Sequence, residues 1–311
     1  MERVRRLINY RCKETMTYKY RGQQVNVAIM DTGLAAHPDY ASRVVNFVDC
    51  IDNWRKPYDD NGHGTHISGI LGGDGYLSNQ VYAGIAPEVR IHGIKVLDAN
   101  GNGSVKYTLR GIDWILENQD KYKIKITNIS VGTLPSYKDN EEMKLLKAVE
   151  ELWDAGIVVV TAAGNYGPKS GSITIPGISE KVITVGAFDD QIYQNKYGGM
   201  QISYSGRGPT LECVCKPEIV APGSYIKSCN SKRSYGNKKE AYTIKSGTSM
   251  ATSVVSGAVA LLLSKHRDMT NLEVKLMLKN TADDLQRARN VQGWGLLNVK
   301  KLLSEKIKSE H

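Results

Sequence analysis

Four short segments of the sequence hold side chains that could do chemistry together. Asp31 lies in a DTG triplet, His63 in NGHGTH, Ser249 in GTSMA and Asn165 in TAAGN. Each segment falls at a predicted boundary between two structural elements and contains glycine. An aspartate, a histidine and a serine are the residue types that activated serine nucleophiles require. The combination therefore predicts a serine nucleophile more strongly than any one segment does alone.

The surroundings of Ser249 and Asn165 suit a developing negative charge. Ser249 lies between a glycine turn and a predicted buried helix, where the helix dipole and free amide groups favour an anion. Asn165 follows a predicted strand and could present its side-chain amide as an oxyanion donor together with the N–H of Ser249. A turn-forming asparagine before Gly167 is the alternative interpretation of Asn165, and the residues alone leave both open.

Other chemistries fit the same residues less well. The DTG triplet also suits aspartic proteases, but these need two carboxylates that share a proton, and the sequence has no second DTG or DSG. His63 and His66 could share a metal, yet no carboxylate stands at zinc-protease spacing. The five cysteines are an odd number without zinc-type pairs, which favours free, mostly buried thiols. We predict no metal and no cofactor.

Apolar β-rich runs alternate with helical patterns along the chain. This alternation predicts an α/β fold with a predominantly parallel central sheet and helices on both faces. The predicted strands are residues 25–30, 91–97, 124–131, 157–162, 182–187 and 218–220. The predicted helices are residues 105–119, 140–154, about 250–266, 271–280 and 298–307.

Length and composition limit the class of protein. With 311 residues, 41% hydrophobic and 23% charged, the chain can bury a large core. No linker or repeat divides it, so we expect one domain over residues 20–311 after a short basic arm at 1–19. The net charge of +9 is spread and lacks interleaved aromatics, which argues against nucleic acid. No apolar run of membrane-spanning length and no secretory signal are recognised, so we expect no membrane association and a cytoplasmic location.

The sequence resembles the subtilisin-like serine proteases, or subtilases, in unbroken order over about residues 20 to 300. The matching segments are residues 27–33 (VAIMDTG), 61–68 (NGHGTHIS), 84–87 (GIAP), 95–97 (KVL), 128–132 (NISVG), 162–165 (AAGN), 207–210 (RGPT), 216–223 (KPEIVAPG), 247–252 (GTSMAT) and 293–299 (GWGLLNV). The resemblance implies a subtilisin-like fold and a serine endopeptidase.

By this resemblance, Ser249 is the nucleophile, His63 the general base, Asp31 the residue that orients the imidazole, and Asn165 an oxyanion donor. A protein or peptide substrate is expected to bind as an extended strand between two backbone edges. The residues expected to bind it are Gly101, Asn102, Gly103, Ser130, Val131, Gly132, Thr133 and Tyr166.

Several positions depart from the family pattern. Ser253 and Val254 stand where subtilases usually have Pro-His, and Gly132-Thr133 stands where Gly-Gly is frequent, which predicts a narrower pocket before the scissile bond. The segment 72–83 departs from the calcium-loop pattern. Residues 1–17 faintly resemble the inhibitory extension of intracellular subtilisins, which suggests a removable arm that blocks the cleft.

Two roles fit a subtilase of this kind, namely intracellular protein turnover and removal of a leader from a peptide precursor. A catalytically weak or inactive peptide-binding homologue is the alternative. The sequence does not indicate the oligomeric state.

Overall fold

A central sheet of seven parallel strands organises the chain. The computed structural model describes residues 1–17, 19–136, 140–190, 193–194, 200–201, 203–232 and 240–305. The strands are β1 (Asn26–Asp31), β2 (Val44–Asp49), β3 (Arg90–Lys95), β4 (Ile124–Ile129), β5 (Val158–Ala162), β6 (Ile183–Ala187), β7 (Tyr193–Gln194), β8 (Met200–Gln201), β9 (Ile219–Ala221), β10 (Ile226–Cys229) and β11 (Tyr242–Lys245). The sheet runs in the order β2-β3-β1-β4-β5-β6-β9, while β7 with β8 and β10 with β11 form antiparallel pairs.

Helices cover both faces of this sheet. They are α1 (Glu2–Leu7), α2 (Lys13–Met16), α3 (His63–Gly72), α4 (Val105–Tyr122), α5 (Asn140–Asp154), α6 (Thr248–Lys265), α7 (Asn271–Thr281), α8 (Arg289–Gln292) and α9 (Val299–Ser304). Helix α6 packs on β4, β5 and β6 and against α3, whereas α4 and α5 pack against each other and on the sheet.

Strand β1 shows why the sheet needs helices on both sides. Its side chains alternate between the faces, with Val27 and Ile29 in the core beneath α6, and Ala28 and Met30 in the core beneath α4. All of β1 is buried, as expected for a parallel strand between two helical layers. The predicted α/β fold with a parallel sheet is therefore confirmed.

The predicted elements differ from the observed ones mainly at their ends. The strand predicted at residues 124–131 ends at Ile129, because the chain leaves the sheet there to line a cleft. Strand β2 was missed although four of its six residues (VVNFVD) are apolar; it lies at the edge of the sheet and is only partly buried. The helix predicted at 298–307 is observed over Val299–Ser304, and residues 306 and 307 lie outside the described residues.

Helix α6 is the central helix of the fold. By length and composition alone it is apolar enough to cross a membrane, yet every residue from Thr248 to Ser264 is buried inside the protein. Burial on all sides explains why its sequence shows no polar face.

The N-terminal arm packs onto the same core as the rest of the chain. Val4, Ile8 and Cys12 are buried in the core that contains α6. The backbone N–H of Val299 donates to the carbonyl of Ile8 at 2.8 Å, and the Arg5 guanidinium donates to the carbonyl of Gly84 at 3.0 Å. Apolar burial and main-chain hydrogen bonds together hold the arm to the body of the protein.

Candidate active site

Asp31 and His63 meet at the carboxyl edge of the sheet. Asp31 is the last residue of β1 and is 1% exposed, and His63 is the first residue of α3. Nδ1 of His63 lies 2.7 Å from Oδ1 of Asp31, which also accepts the N–H of Thr32 at 2.7 Å. The carboxylate therefore holds the proton of the imidazole on Nδ1 and leaves Nε2 able to accept another one.

Glycines allow α3 to approach β1 this closely. Gly62 precedes the helix with φ +95°, a conformation that L side chains rarely adopt. A Cβ at Gly64 would overlap the carbonyl oxygen of Gly33, so only glycine lets these two backbones touch. The N–H of Gly64 donates to Oγ1 of Thr32 at 2.9 Å, which fixes the helix start beside the strand end.

Ser249 is the second residue of α6 and is 7% exposed. Its Oγ donates to the carbonyl of Ser130 at 3.2 Å. Among the described hydrogen bonds, none joins this Oγ to His63, so the hydroxyl proton is directed to the carbonyl of Ser130 and not to the imidazole. Catalytic hydrogen bonds are often incomplete without substrate, so this geometry is compatible with a nucleophile at rest.

Asn165 is held by the first turn of α6. Its Oδ1 accepts the backbone N–H of Thr248 at 2.9 Å and the Oγ1 of Thr248 at 3.1 Å. Because both bonds go to the carbonyl half of the side chain, the Nδ2 amide is free to face outwards beside Gly247. Sequence reasoning identified Asn165 but missed Thr248, although a hydroxyl residue directly before the candidate nucleophile was a usable signal.

A cleft of about 490 Å³ opens next to His63. All eight residues that the sequence predicted as substrate-binding line it, namely Gly101, Asn102, Gly103, Ser130, Val131, Gly132, Thr133 and Tyr166. Sequence reasoning missed the other lining residues, which are Thr32, Asn61, Leu97, Ser104, Val105, Thr108, Leu145, Ile175 and Pro176. Several of these lie on other segments, with Val105 and Thr108 in α4 and Leu145 in α5. Five of the nine are apolar, which makes the cleft suitable for a peptide with apolar side chains.

Residues 1–17, all of them described, contribute nothing to the lining of this cleft. The arm instead lies against segments near Gly84, Ser224 and Val299. The structure therefore does not place it as a plug of the cleft.

The charge state of His63 depends on opposing influences. Burial lowers its pKa, but the negative charge of Asp31 and the hydrogen bond to it outweigh burial, so the pKa is raised above the ordinary histidine value. Lys245 also lowers this pKa, and Asp59 raises it. The nearby His66 differs, since burial lowers its pKa to about 3 and its Nε2 hydrogen-bonds the carbonyl of Ile226 at 3.0 Å. The two imidazoles thus have separate partners.

Away from the cleft, His37, Asp39 and Cys229 form a buried group whose donor atoms lie within 4.8 Å of one another. Oδ2 of Asp39 accepts the Tyr242 hydroxyl at 2.7 Å, and Oδ1 accepts the N–H of Leu77 at 3.1 Å. Burial raises the pKa of the Cys229 thiol, which keeps it protonated. The group has the composition of a metal site, but hydrogen bonds already satisfy its carboxylate.

Comparison with known proteins identifies the family. Residues 22–295 match the subtilase family model. The chain is 42% identical over 290 residues to serine protease AprX of Bacillus subtilis, covering 89% of this chain and 66% of the length of AprX. It is 34% identical to subtilisin Savinase of Lederbergia lenta, covering 89% of this chain and 90% of that protein.

Solved structures agree with this match. A cold-adapted subtilisin-like serine proteinase superposes with a TM-score of 0.71 at 29% identity, covering 90% of each chain. A psychrophilic protease, S41, superposes with a TM-score of 0.74 at 26% identity, covering 89% of this chain and 92% of the other. The chain therefore belongs to the subtilase family of subtilisin-like serine proteases.

Proposed function

We propose that this subtilase hydrolyses peptide bonds through an acyl-enzyme formed on Ser249, with His63 as general base and Asp31 as its partner. The observation that carries the proposal is the 2.7 Å contact between Nδ1 of His63 and Oδ1 of Asp31 at the edge of a peptide-sized cleft. Among hydrolytic mechanisms, an imidazole oriented by a buried carboxylate beside a serine favours this one.

Substrate binding and activation of the nucleophile are coupled through Ser130. Its carbonyl now accepts the Ser249 hydroxyl at 3.2 Å. An extended peptide that pairs with the 130–132 edge would offer a backbone N–H to the same carbonyl. The incoming strand would thereby release the hydroxyl, which could rotate towards Nε2 of His63.

The chemical steps then follow from the arrangement of the donors. As Oγ of Ser249 attacks the scissile carbonyl carbon, its proton passes to Nε2 of His63, and Asp31 stabilises the imidazolium. The oxyanion accepts hydrogen bonds from the Ser249 N–H and from Nδ2 of Asn165. His63 returns the proton to the leaving amine, and a water molecule, activated by the same imidazole, hydrolyses the acyl-enzyme.

Covalent labelling tests this proposal. A fluorophosphonate probe should label the wild-type protein, and Ser249→Ala should abolish labelling. Ser253→Ala is the matched control, because this buried serine lies one turn later and donates to the carbonyl of Ser249 at 3.0 Å. Absence of labelling in folded wild-type protein would favour the alternative of a non-catalytic peptide-binding homologue.

The proposed hydrolysis fits two biological roles, which are general protein turnover and the processing of one peptide precursor. A cytoplasmic location stays a prediction from the sequence. Digestion of a peptide library distinguishes the roles, since turnover predicts cleavage at many sequences and precursor processing predicts cleavage at a single motif.

A further inference from the structure

Asn128 is a polar side chain in an otherwise apolar layer between β4 and α6. Its neighbours across the strands, Ile29 on β1 and Val160 on β5, belong to the hydrophobic core that contains α6. Asn128 is fully buried, so its amide would destabilise the fold if its donor and acceptor atoms had no hydrogen-bond partners. The partners of this amide are therefore essential to the layer.

The amide joins α6 to the segment that borders the cleft. Oδ1 of Asn128 accepts the hydroxyl of Ser256 at 2.9 Å, and Nδ2 donates to Oγ of Ser130 at 2.9 Å. Ser256 lies on α6, whereas Ser130 directly follows β4 and lines the cleft. The side chain of Asn128 thus connects the helix that carries the proposed nucleophile to the backbone edge at residues 130–132.

A second contact joins the same helix to the same segment. The Ser249 hydroxyl donates to the carbonyl of Ser130 at 3.2 Å. Ser249 and Ser256 are seven residues apart on α6, which is about two helical turns, so both side chains project from one face of the helix. The end of β4 therefore contacts α6 at two polar points about two turns apart.

These two polar contacts fix the position of α6 along β4. The neighbouring contacts in this layer are apolar, and apolar contacts have no directional preference, so by themselves they would tolerate a shift of the helix along the strand. A buried hydrogen-bond network in which every member is paired favours one arrangement. The carbonyl of Ser130 is thereby held at one distance from Oγ of Ser249.

We infer that Asn128 is a positioning residue for the substrate, because it holds Ser130 where the carbonyl of Ser130 can accept a backbone N–H of the bound peptide. This inference rests on the proposed function, in which an extended substrate pairs with the 130–132 edge. Asn128 contacts neither the substrate nor the reacting atoms and acts only through Ser130. The hydroxyl of Ser256 supports it by fixing the orientation of the amide.

The test compares two substrates that differ in one backbone group. The residue that supplies the scissile carbonyl keeps its N–H in the first substrate, and an ester oxygen replaces this N–H in the second. Only the first substrate can donate to the carbonyl of Ser130. The wild-type protein should cleave it with a kcat/KM at least about fivefold higher, because one net hydrogen bond changes an equilibrium by up to about tenfold.

Two substitutions should reduce this preference for the N–H substrate. Ser256→Ala removes the donor to Oδ1 of Asn128 and should lower the ratio of the two kcat/KM values by about twofold or more. Asn128→Ala removes both hydrogen bonds and should bring the ratio close to one. Ser264→Ala is the matched control, since this buried serine of α6 donates within the helix to the carbonyl of Leu261 at 2.8 Å, and it should preserve the ratio.

The Ser256→Ala variant decides the outcome even if Asn128→Ala does not fold. A fall in kcat/KM that is equal for both substrates would show that the network has only a structural role. Such a fall, or an unchanged ratio, would overturn the inference.

Binding measurements separate this inference from the proposed reaction. In the Ser249→Ala background, which cannot form the acyl-enzyme, Kd is measured for both substrates with and without Ser256→Ala. The N–H substrate should bind more tightly, and Ser256→Ala should reduce the difference. Equal affinities in the Ser249→Ala protein would overturn the role of Asn128. If the affinities differ as expected while the wild-type protein cleaves neither substrate, only the proposed reaction is overturned.

Discussion

Thr248 donates two hydrogen bonds to Oδ1 of Asn165, one from its backbone N–H at 2.9 Å and one from its hydroxyl at 3.1 Å. The first turn of α6 thus carries the proposed nucleophile and also aims the side chain proposed to stabilise the oxyanion. Because Ser249 and the contact to Asn165 belong to the same turn, a movement of that turn would shift both side chains together and keep the distance between them.

Replacing Asn165 should reduce turnover more than substrate binding. Asn165→Ala removes the Nδ2 donor, and we expect kcat to fall about 10²- to 10³-fold with KM within about threefold, because the hydrogen bond forms chiefly in the transition state. Thr248→Val, which removes only the Oγ1 contact, should have a smaller effect. Steady-state kinetics check both variants, and a loss confined to KM would contradict the assigned role.

Replacing Asp31 should impair catalysis strongly without unfolding the protein. Asp31→Asn removes the charge that orients His63, so kcat/KM should fall on the order of 10⁴-fold, as is typical for this carboxylate in serine proteases. Asp154→Asn is the control, since that carboxylate is exposed and pairs with Lys181 at 2.7 Å. Retained activity in folded Asp31→Asn protein would exclude the proposed mechanism.

The pH dependence of activity should report on His63. Its neutral form is the base, and its pKa is raised because Asp31 outweighs burial, so activity should fall as the pH drops through a midpoint above the ordinary value of about 6.5. Lys245 opposes the effect of Asp31 and Asp59 adds to it.

Two substitutions should therefore move this midpoint in opposite directions. Asp31→Asn should lower the midpoint in kcat/KM, whereas Lys245→Gln should raise it. Profiles between pH 5 and 9 check this expectation, and shifts of equal sign would argue that His63 is not the titrating group.

The N-terminal arm should contribute stability. Ile8 is fully buried, and Ile8→Ala should destabilise the fold by about 2–5 kcal/mol. Met16→Ala is the control, because Met16 is 60% exposed and its loss should change stability by about 0.5 kcal/mol or less. Denaturant unfolding measures the stability of both variants.

Deletion of residues 1–17 should lower stability without raising activity. An increase in kcat/KM after deletion would instead support the inhibitory-arm hypothesis.

Acid should destabilise the fold through His92. This fully buried imidazole hydrogen-bonds Asn26 at 3.1 Å and Asn46 at 3.0 Å, and burial lowers its pKa to about 4. The unfolded chain binds the proton first as the pH falls below about 6.5, so the contribution of His92 to stability should decrease by about 1.4 kcal/mol per pH unit until the folded pKa is reached. The buried His66, whose pKa burial lowers to about 3, should add a slope of the same sign.

Unfolding of the Ser249→Ala protein, which avoids self-digestion, measures this slope between pH 7 and 4.5. His92→Gln should reduce the dependence of the unfolding free energy on pH by the contribution of one proton, which is about 1.4 kcal/mol per pH unit. An unchanged slope would show that other groups account for the acid sensitivity.

The sequence by itself indicated the family, the parallel α/β sheet and the candidate catalytic residues, because these depend on local patterns of residue types. The apolar run of β1 placed Asp31 at a strand end, and the glycines around His63 marked a helix start. A parallel sheet brings such strand ends to one edge, whereas the residues of the cleft were expected from the resemblance to the family.

Only the tertiary structure decided how these parts fit together. It showed that Thr248 holds Asn165, that the Ser249 hydroxyl donates to Ser130, and that His63 contacts Asp31. None of these contacts has a local signature, since each joins segments far apart in the chain. Their geometry depends on how whole layers pack, and a sequence pattern describes only the layer to which it belongs.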